Sequence, residues 1–387
     1  MKIVHICVTG IWGEQYAYQE NLLPHYHKIM GNEVTIIAST YSKYTEGKPV
    51  EEPVGISYLQ DGTKLIRLQH TIPINLINKH LHLVSGLKKS ILEENPDLLF
   101  VHDLACLNFK CLVSIKRMKP NIKIVFDNHA DYVNSLHSPI TKFLHKVIYR
   151  FYLAKDFIQI ADCFYGVTPS RCDFLHDAYR IPHKKINLLI MGADDEKMQV
   201  DKKEQLRKEV RDRYNITDND FLIISGGKID LKKNIHVLAN AVNNINNEKI
   251  KILIFGTISS DLETAFQKER SNKVQTIGWI QSDKVYELFY AADLIMFTGL
   301  HSVLWEQAVA SKTPCAFSKI EGFTHVSFNS NCILLENNTS SYYQKVLNDV
   351  LNDGVTYNRL KVNSNSKLTE QFYYSNIAKQ VIEDSHI

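Results

Sequence analysis

Ser225-Gly226-Gly227-Lys228-Ile229-Asp230-Leu231-Lys232-Lys233-Asn234 stands between the apolar run Phe221-Leu222-Ile223-Ile224 and a segment of helical pattern from Ile235 to Val242. An apolar run that stops at paired glycines, then a polar turn, then a helix gathers free backbone N–H groups and lysines at one place, which suits a phosphate. A plain strand-to-helix turn with solvated lysines looks the same over ten residues. The rest of the chain has to decide between them.

Outward from this stretch, short apolar runs alternate with helix-length segments in both directions. On the N-terminal side they are Ile3 to Val8, Val34 to Ala38, Leu98 to Val101, Ile124 to Phe126, Cys163 to Val167 and Ile186 to Met191. On the C-terminal side they are Ile250 to Phe255, Val274 to Ile277, Leu294 to Phe297 and Pro314 to Phe317. Buried runs separated by helices indicate parallel sheets covered on both faces, and the pattern restarts after the charged segment Lys202 to Arg213. The expected fold is α/β with two Rossmann-like domains, the boundary falling near residues 193 to 203. Ligands bind beyond the carboxyl ends of strands in such sheets, so two in tandem are expected to face each other across a cleft.

The 387 residues suit two domains, and 44% hydrophobic residues suit a globular protein. A formal charge of +3 gives no case for a nucleic-acid binder. The seven cysteines are odd in number, lack C-x-x-C spacing and mostly lie in apolar runs, so buried thiols in a reducing compartment are expected. Met1 to Val8 is too short an apolar lead for a signal peptide and no eighteen apolar residues run together, so a cytoplasmic protein is expected. Lys142 to Lys155 mixes aromatic and basic residues at helical spacing, which suits a helix lying on the inner face of a membrane as well as one packed on a sheet.

Four blocks of the second half together resemble a glycosyltransferase of the GT-B fold, most like family 4. They are Gly227-Lys228 with Lys233; Ile252-Leu253-Ile254-Phe255-Gly256; Val274 to Trp279 followed by Val285 to Asp293; and Leu304-Trp305-Glu306-Gln307-Ala308-Val309-Ala310-Ser311-Lys312-Thr313-Pro314. In the first half, Ala161-Asp162 through Ser170 and Leu188 to Asp194 resemble the end of that family's acceptor domain. The resemblance implies an N-terminal acceptor-binding domain over 1–195, a nucleotide-sugar-binding domain over 196–367, and a helix over 368–387 crossing back to the first domain. It implies a retaining transfer from a nucleotide sugar, UDP- or GDP-linked, to a glycan or lipid-linked acceptor in surface-polysaccharide assembly.

By the same resemblance, Lys228 and Lys233 hold the donor diphosphate together with Gly226, Gly227 and Gly256. Glu306 holds the ribose, and His129, after Asp127 at a strand end, contacts the donor sugar near the reacting carbon. Gly10, Trp12 and Gly13 take the place of the family's first glycine loop and are expected to form a flexible loop on the acceptor side. The family usually pairs its helix glutamate with another eight residues earlier, where this chain has Thr298. His301 is then expected to take over part of the missing acid's role, and Ser302 to cap the helix and, with the N–H groups of the helix start beside it, to help bind the donor diphosphate. Charge growing on a diphosphate leaving group can be met by the lysines and backbone N–H groups, so no metal and no cofactor are expected. A buried Glu306 in an apolar helix needs partners, which ribose hydroxyls would supply. A sugar-nucleotide epimerase of the same fold, or a partner protein without activity, are the alternatives.

Overall fold

The computed structural model describes residues 1–45, 48–71, 83–133, 135–136 and 138–385. The chain forms two compact units. One comprises Met1–Met191 with Tyr374–Ile387, and the other Gly192–Tyr373.

The first unit carries β1 (Lys2–Cys7), β2 (Glu33–Ser39), β3 (Tyr41–Thr45), β4 (Lys48–Glu51), β5 (Gly55–Tyr58), β6 (Lys64–Leu68), β7 (Leu98–Val101), β8 (Lys123–Asn128), β9 (Cys163–Gly166) and β10 (Ile186–Leu188). Eight of them form a sheet in the order β10-β9-β8-β7-β1-β2-β6-β5, parallel except where β5 pairs antiparallel with β6; β3 and β4 pair as a separate hairpin. The strand hairpins between residues 41 and 68 are not in the apolar pattern, because β4 and β5 lie at the surface and show no buried run. The order reverses between β1 and β7, the place where an open parallel sheet opens a crevice at its carboxyl edge. Val4, Ile6, Leu99, Val101, Ile124 and Phe126 are fully buried and form the centre of the unit's core.

The second unit carries β11 (Phe221–Ile229), β12 (Ile250–Ile258), β13 (Val274–Gly278), β14 (Leu294–Phe297), β15 (Cys315–Ser318) and β16 (Cys332–Leu335), all parallel, in the order β13-β12-β11-β14-β15-β16. This is the doubly wound Rossmann order, with its switch point between β11 and β14. Ile223, Ile252, Ile254, Leu294 and Met296 are buried on these strands against Leu238, Ala241 and Val242 of the helix Ile235–Asn243.

One expectation about the opening stretch is corrected. β11 does not stop at Gly226-Gly227; it continues through Lys228 to Ile229, with Gly227 opposite Gly256 and Ile229 opposite Ile258. Glycine is used there for closeness, not to break the strand. A Cβ on Gly256 would lie 1.8 Å from the Gly227 carbonyl oxygen, and Gly256 has φ +116°, while a Cβ on Gly226 would lie 2.3 Å from the Phe255 carbonyl oxygen. The turn that follows is Leu231–Lys233, and the helix begins at Ile235.

All seven cysteines are unpaired, five of them buried and Cys111 and Cys172 half-buried. Among the described residues no helix is long and apolar enough to cross a membrane.

Candidate active site

At the switch point of the second unit, β14 pairs with β11 only at Ile223 and Ile224, so the last part of β11 has one edge open to the segment that follows β14. That segment is tied to the lysine turn. Thr298 donates its hydroxyl to the Lys233 carbonyl at 2.9 Å, Asn234 donates its amide to the Thr298 carbonyl at 3.2 Å, and the Leu300 N–H reaches the Lys232 carbonyl. Gly299 sits so close that a Cβ there would meet the Lys233 Cα at 2.2 Å. The residue standing where the family has an acid is thus a buried brace between two loops.

The two lysines differ. Lys228 is exposed on β11 and has no hydrogen-bond or ion-pair partner among the described residues. Lys233 is half-buried, gives its ammonium to the Leu300 carbonyl, and has its pKa lowered by burial, with Asp230 opposing the shift. Neither cation is matched by a carboxylate in contact. An anion at this edge would meet one free ammonium and one that only a carbonyl holds. Beside Gly256, a hollow of about 470 Å³ opens at the ends of β12 and β13, lined by Thr257, Arg270, Thr276 and Trp279 among others; Trp279 is 71% exposed.

Glu306 lies in the helix Leu304–Ala310 and is fully buried. Its partners are protein groups, which corrects the expectation that ribose is required to satisfy it. His301 Nε2 and His325 Nε2 reach the same oxygen, Oε1, at 2.7 and 2.8 Å. Burial alone would raise the carboxyl's pKa, but the two imidazoles hold it down at about 2. Oε2 and His325 Nδ1 are buried without a hydrogen-bond partner. His301 thus touches the glutamate directly. His325, on the turn Thr324–Val326, was not singled out in the sequence; it lies nineteen residues beyond Glu306, outside any helical or strand spacing. Ser302 is not the helix cap: the cap position is Val303 and no side chain caps it, because the chain enters the helix one residue later than the serine suggests. The ligand atoms of His301, Glu306 and His325 lie within 4.8 Å of one another, so this trio is the group among the described residues with the composition of a metal site. The 2.7 and 2.8 Å separations are those of N–H···O bonds, shorter than two ligands of one tetrahedral ion would stand apart.

In the first unit, β8 ends at Asp127-Asn128, and Asp127 is fully buried. Its Oδ2 faces His102 Nδ1 at 2.9 Å and His129 Nε2 at 3.4 Å, and also accepts from Gln19 at 3.3 Å; its Oδ1 accepts the Asp103 N–H. Burial would lower the His129 pKa, but the Asp127 carboxylate lifts it to about 9. His129 is half-buried at a strand end.

The flexible acceptor loop is corrected. Trp12 is 2% exposed, packs with Cys7, Ile36, Ala38 and Leu65, donates its indole N–H to the Glu20 carbonyl and stacks under Arg67. Gly13 is buried too, with no room for a Cβ beside the Ser42 carbonyl. Gly10 alone of the three is exposed, with open space around it.

Two Rossmann-like units with this strand order place the chain in the fold class of the GT-B enzymes. Residues 17–197 match the family model Glycosyltransferase Family 4, and residues 206–367 match Glycosyl transferases group 1. A glycosyltransferase from Rickettsia africae superposes with a TM-score of 0.69 at 15% identity, covering 99% of this chain and 97% of that one. Anabaena Alr3699/HepE, crystallised with UDP, gives 0.69 at 13% identity and covers 99% of both chains. A UDP-GlcNAc 2-epimerase from Neisseria meningitidis gives 0.62 at 13% identity over 99% of both. An uncharacterized glycosyltransferase of Methanocaldococcus jannaschii is 20% identical over 226 residues, 56% of this chain and 57% of that protein, so the match spans little more than half its length. The chain belongs to the GT-B glycosyltransferases of family 4, the group 1 glycosyl transferases.

Proposed function

We propose that the protein is a retaining hexosyltransferase that moves a sugar from a UDP- or GDP-linked donor to a glycan or lipid-linked acceptor in surface-polysaccharide assembly, without a metal ion. The observation that carries this reading is a pair of cations without carboxylate partners, Lys228 and Lys233, at the carboxyl end of the switch-point strand. They take the diphosphate, whose charge grows as the glycosidic bond breaks. Glu306 Oε2 takes a ribose hydroxyl, the hollow beside Gly256 takes the base against Trp279, and His129 acts at the transferred sugar. The acceptor attacks on the face the leaving group departs from, and the diphosphate helps to remove its proton.

Charge complementarity also favours a cytoplasmic location with contact to an anionic membrane. On the segment Pro139–Phe143 continued by Leu144–Ala154, the side chains of Ile140, Phe143, Val147 and Phe151 are exposed at spacings of three and four, beside Lys142, Lys146 and Arg150.

Incubation with a panel of nucleotide sugars, read by mass spectrometry with and without candidate acceptors, tests the reading. Nucleotide release that depends on acceptor supports it, and an epimerised donor replaces it with the epimerase reading. Lys228→Ala is expected to cut turnover about a hundredfold, on the order of 3 kcal/mol of transition-state stabilisation, with a smaller effect on nucleoside binding. Equal turnover in mutant and parent removes the lysine from the site.

A further inference from the structure

Three imidazoles stand in a row inside the first unit: His27 on the helix Gln19–Ile29, His5 on β1, and His102 just after β7. None is more than 1% exposed. His27 Nε2 lies 3.1 Å from the Ala378 carbonyl oxygen, His27 Nδ1 lies 3.0 Å from His5 Nε2, His5 Nδ1 lies 3.1 Å from His102 Nε2, and His102 Nδ1 lies 2.9 Å from Asp127 Oδ2. Every ring nitrogen of the row is engaged. Both ends of the row are acceptors, a carbonyl and a carboxylate.

Four contacts of this kind need four protons, one between each pair of heavy atoms. A neutral imidazole carries a single N–H, so three neutral rings supply three. Asp127 is ionised, because His102 and His129 outweigh burial and hold its carboxyl far below the usual range. Whichever way the tautomers are turned, one contact of three neutral rings would then set two lone pairs against each other at about 3 Å, a costly arrangement at a buried site. We infer that the row carries one proton more than three neutral rings, forming an imidazolium row matched by the Asp127 carboxylate, and that this shared carboxylate makes the row a positioning device for His129.

The extra proton belongs at the Asp127 end. Burial holds His5 well below the ordinary histidine range and His27 at about 4, with the Ala378 carbonyl opposing the shift in His27. The groups that face the row and Asp127 are the Gln19 amide, the Asp103 N–H and carboxylate, the buried Cys7 thiol, and His129, on which Glu20 and Arg171 also act. One carboxylate oxygen therefore serves two imidazoles, His102 and His129. A proton on His102 weakens the pull of Asp127 on His129, because both rings lean on the same oxygen. The step to His129 rests on the proposed transferase reading only for its catalytic meaning; the proton count does not depend on it.

Nitrogen-15 labelling of histidine, with imidazole N–H signals counted by correlation spectroscopy at pH 7.5, tests the inference without any turnover. Four ring N–H protons are expected over His5, His27 and His102, with both nitrogens of His102 protonated. Three would overturn it. Asp127→Asn keeps the shape: its new NH2 can donate to His102 Nδ1, and Gln19, whose Oε1 has no partner, can turn its amide to accept. That variant should show three ring protons, and four would overturn the pairing with Asp127. In the same variant His129 should titrate at least one pH unit lower, a tenfold loss of proton affinity; an unmoved midpoint overturns the positioning role. The parent's count stands by itself if the variant fails to fold, and failure of the sugar-transfer assay leaves all these readouts unchanged.

Discussion

Glu306 shows how much of a buried charge can be settled by its neighbours. Its folded pKa, about 2, lies below the ordinary value of 4.5 because two imidazoles outweigh burial. A depressed carboxyl pKa stabilises the folded chain at pH above 4.5 and loses that effect as pH falls from 4.5 towards 2. His325→Leu is therefore expected to lower the unfolding free energy at pH 7 by about 1.5 to 3 kcal/mol, the usual range for a hydrogen bond to a charged group. The gap from the parent should narrow as the pH falls below 4.5, in urea titrations at pH 7 and pH 3.5. A gap that stays constant would mean that His325 contributes packing alone. Glu306→Gln, in turn, should weaken nucleoside diphosphate binding about tenfold in calorimetric titration if Oε2 meets the ribose.

At the scale of elements, the segment from Pro139 to Ala154 is the one whose outer face asks for a partner. Its buried side chains, Tyr149, Leu153 and Ala154, join the core of the first unit, which leaves the exposed apolar stripe and its cations turned outward. Vesicles rich in anionic lipid are expected to carry the protein down in sedimentation at low salt, and Phe143→Asp with Phe151→Asp should abolish this while leaving the melting curve unchanged. No sedimentation of the parent at low salt would end the idea.

The strands were legible in the sequence to the extent that each is a buried apolar run: Ile3 to Val8, Leu98 to Val101 and Leu294 to Phe297 appear as β1, β7 and β14 within a residue or so. β11 was legible only in its first half. Glycine is poor in strands, so Gly226-Gly227 reads as an end, although close approach to Phe255 and Gly256 is what those positions need. The site followed the same rule. Lys228, Lys233 and Glu306 stood out through their resemblance to family motifs, while the Thr298 brace and the His325 contact are made across loops and leave no period to read. Trp12 misled because a glycine-flanked tryptophan near a strand end looks like a loop, yet its ring completes a small core.

For the molecule as a whole, the terminal helix Tyr374–Ser385 is an internal part of the first unit. Its Ala378 carbonyl ends the histidine row, its Asp384 accepts from Tyr165 at 2.9 Å, and Tyr374 stacks on Tyr26. A chain ending at Tyr373 is expected to keep a cooperative calorimetric transition from the second unit and to lose the first unit's, because buried polar groups at His27 and Tyr165 lose their partners. Two intact transitions would make the helix an appendage. Composition could not have hinted at this: sixteen histidines enter a charge count as neutral, and only the fold lines three of them up between a carbonyl and a carboxylate.

The Thr298 brace also bears on which residues that position admits. Position 298 is 1% exposed, and its hydroxyl is spent on the Lys233 carbonyl. A glutamate placed there would press one acceptor against another in a space closed by Gly299 and the lysine turn. The brace thus locks two positions to each other, and an acid could stand at 298 only in a chain whose lysine turn is built differently.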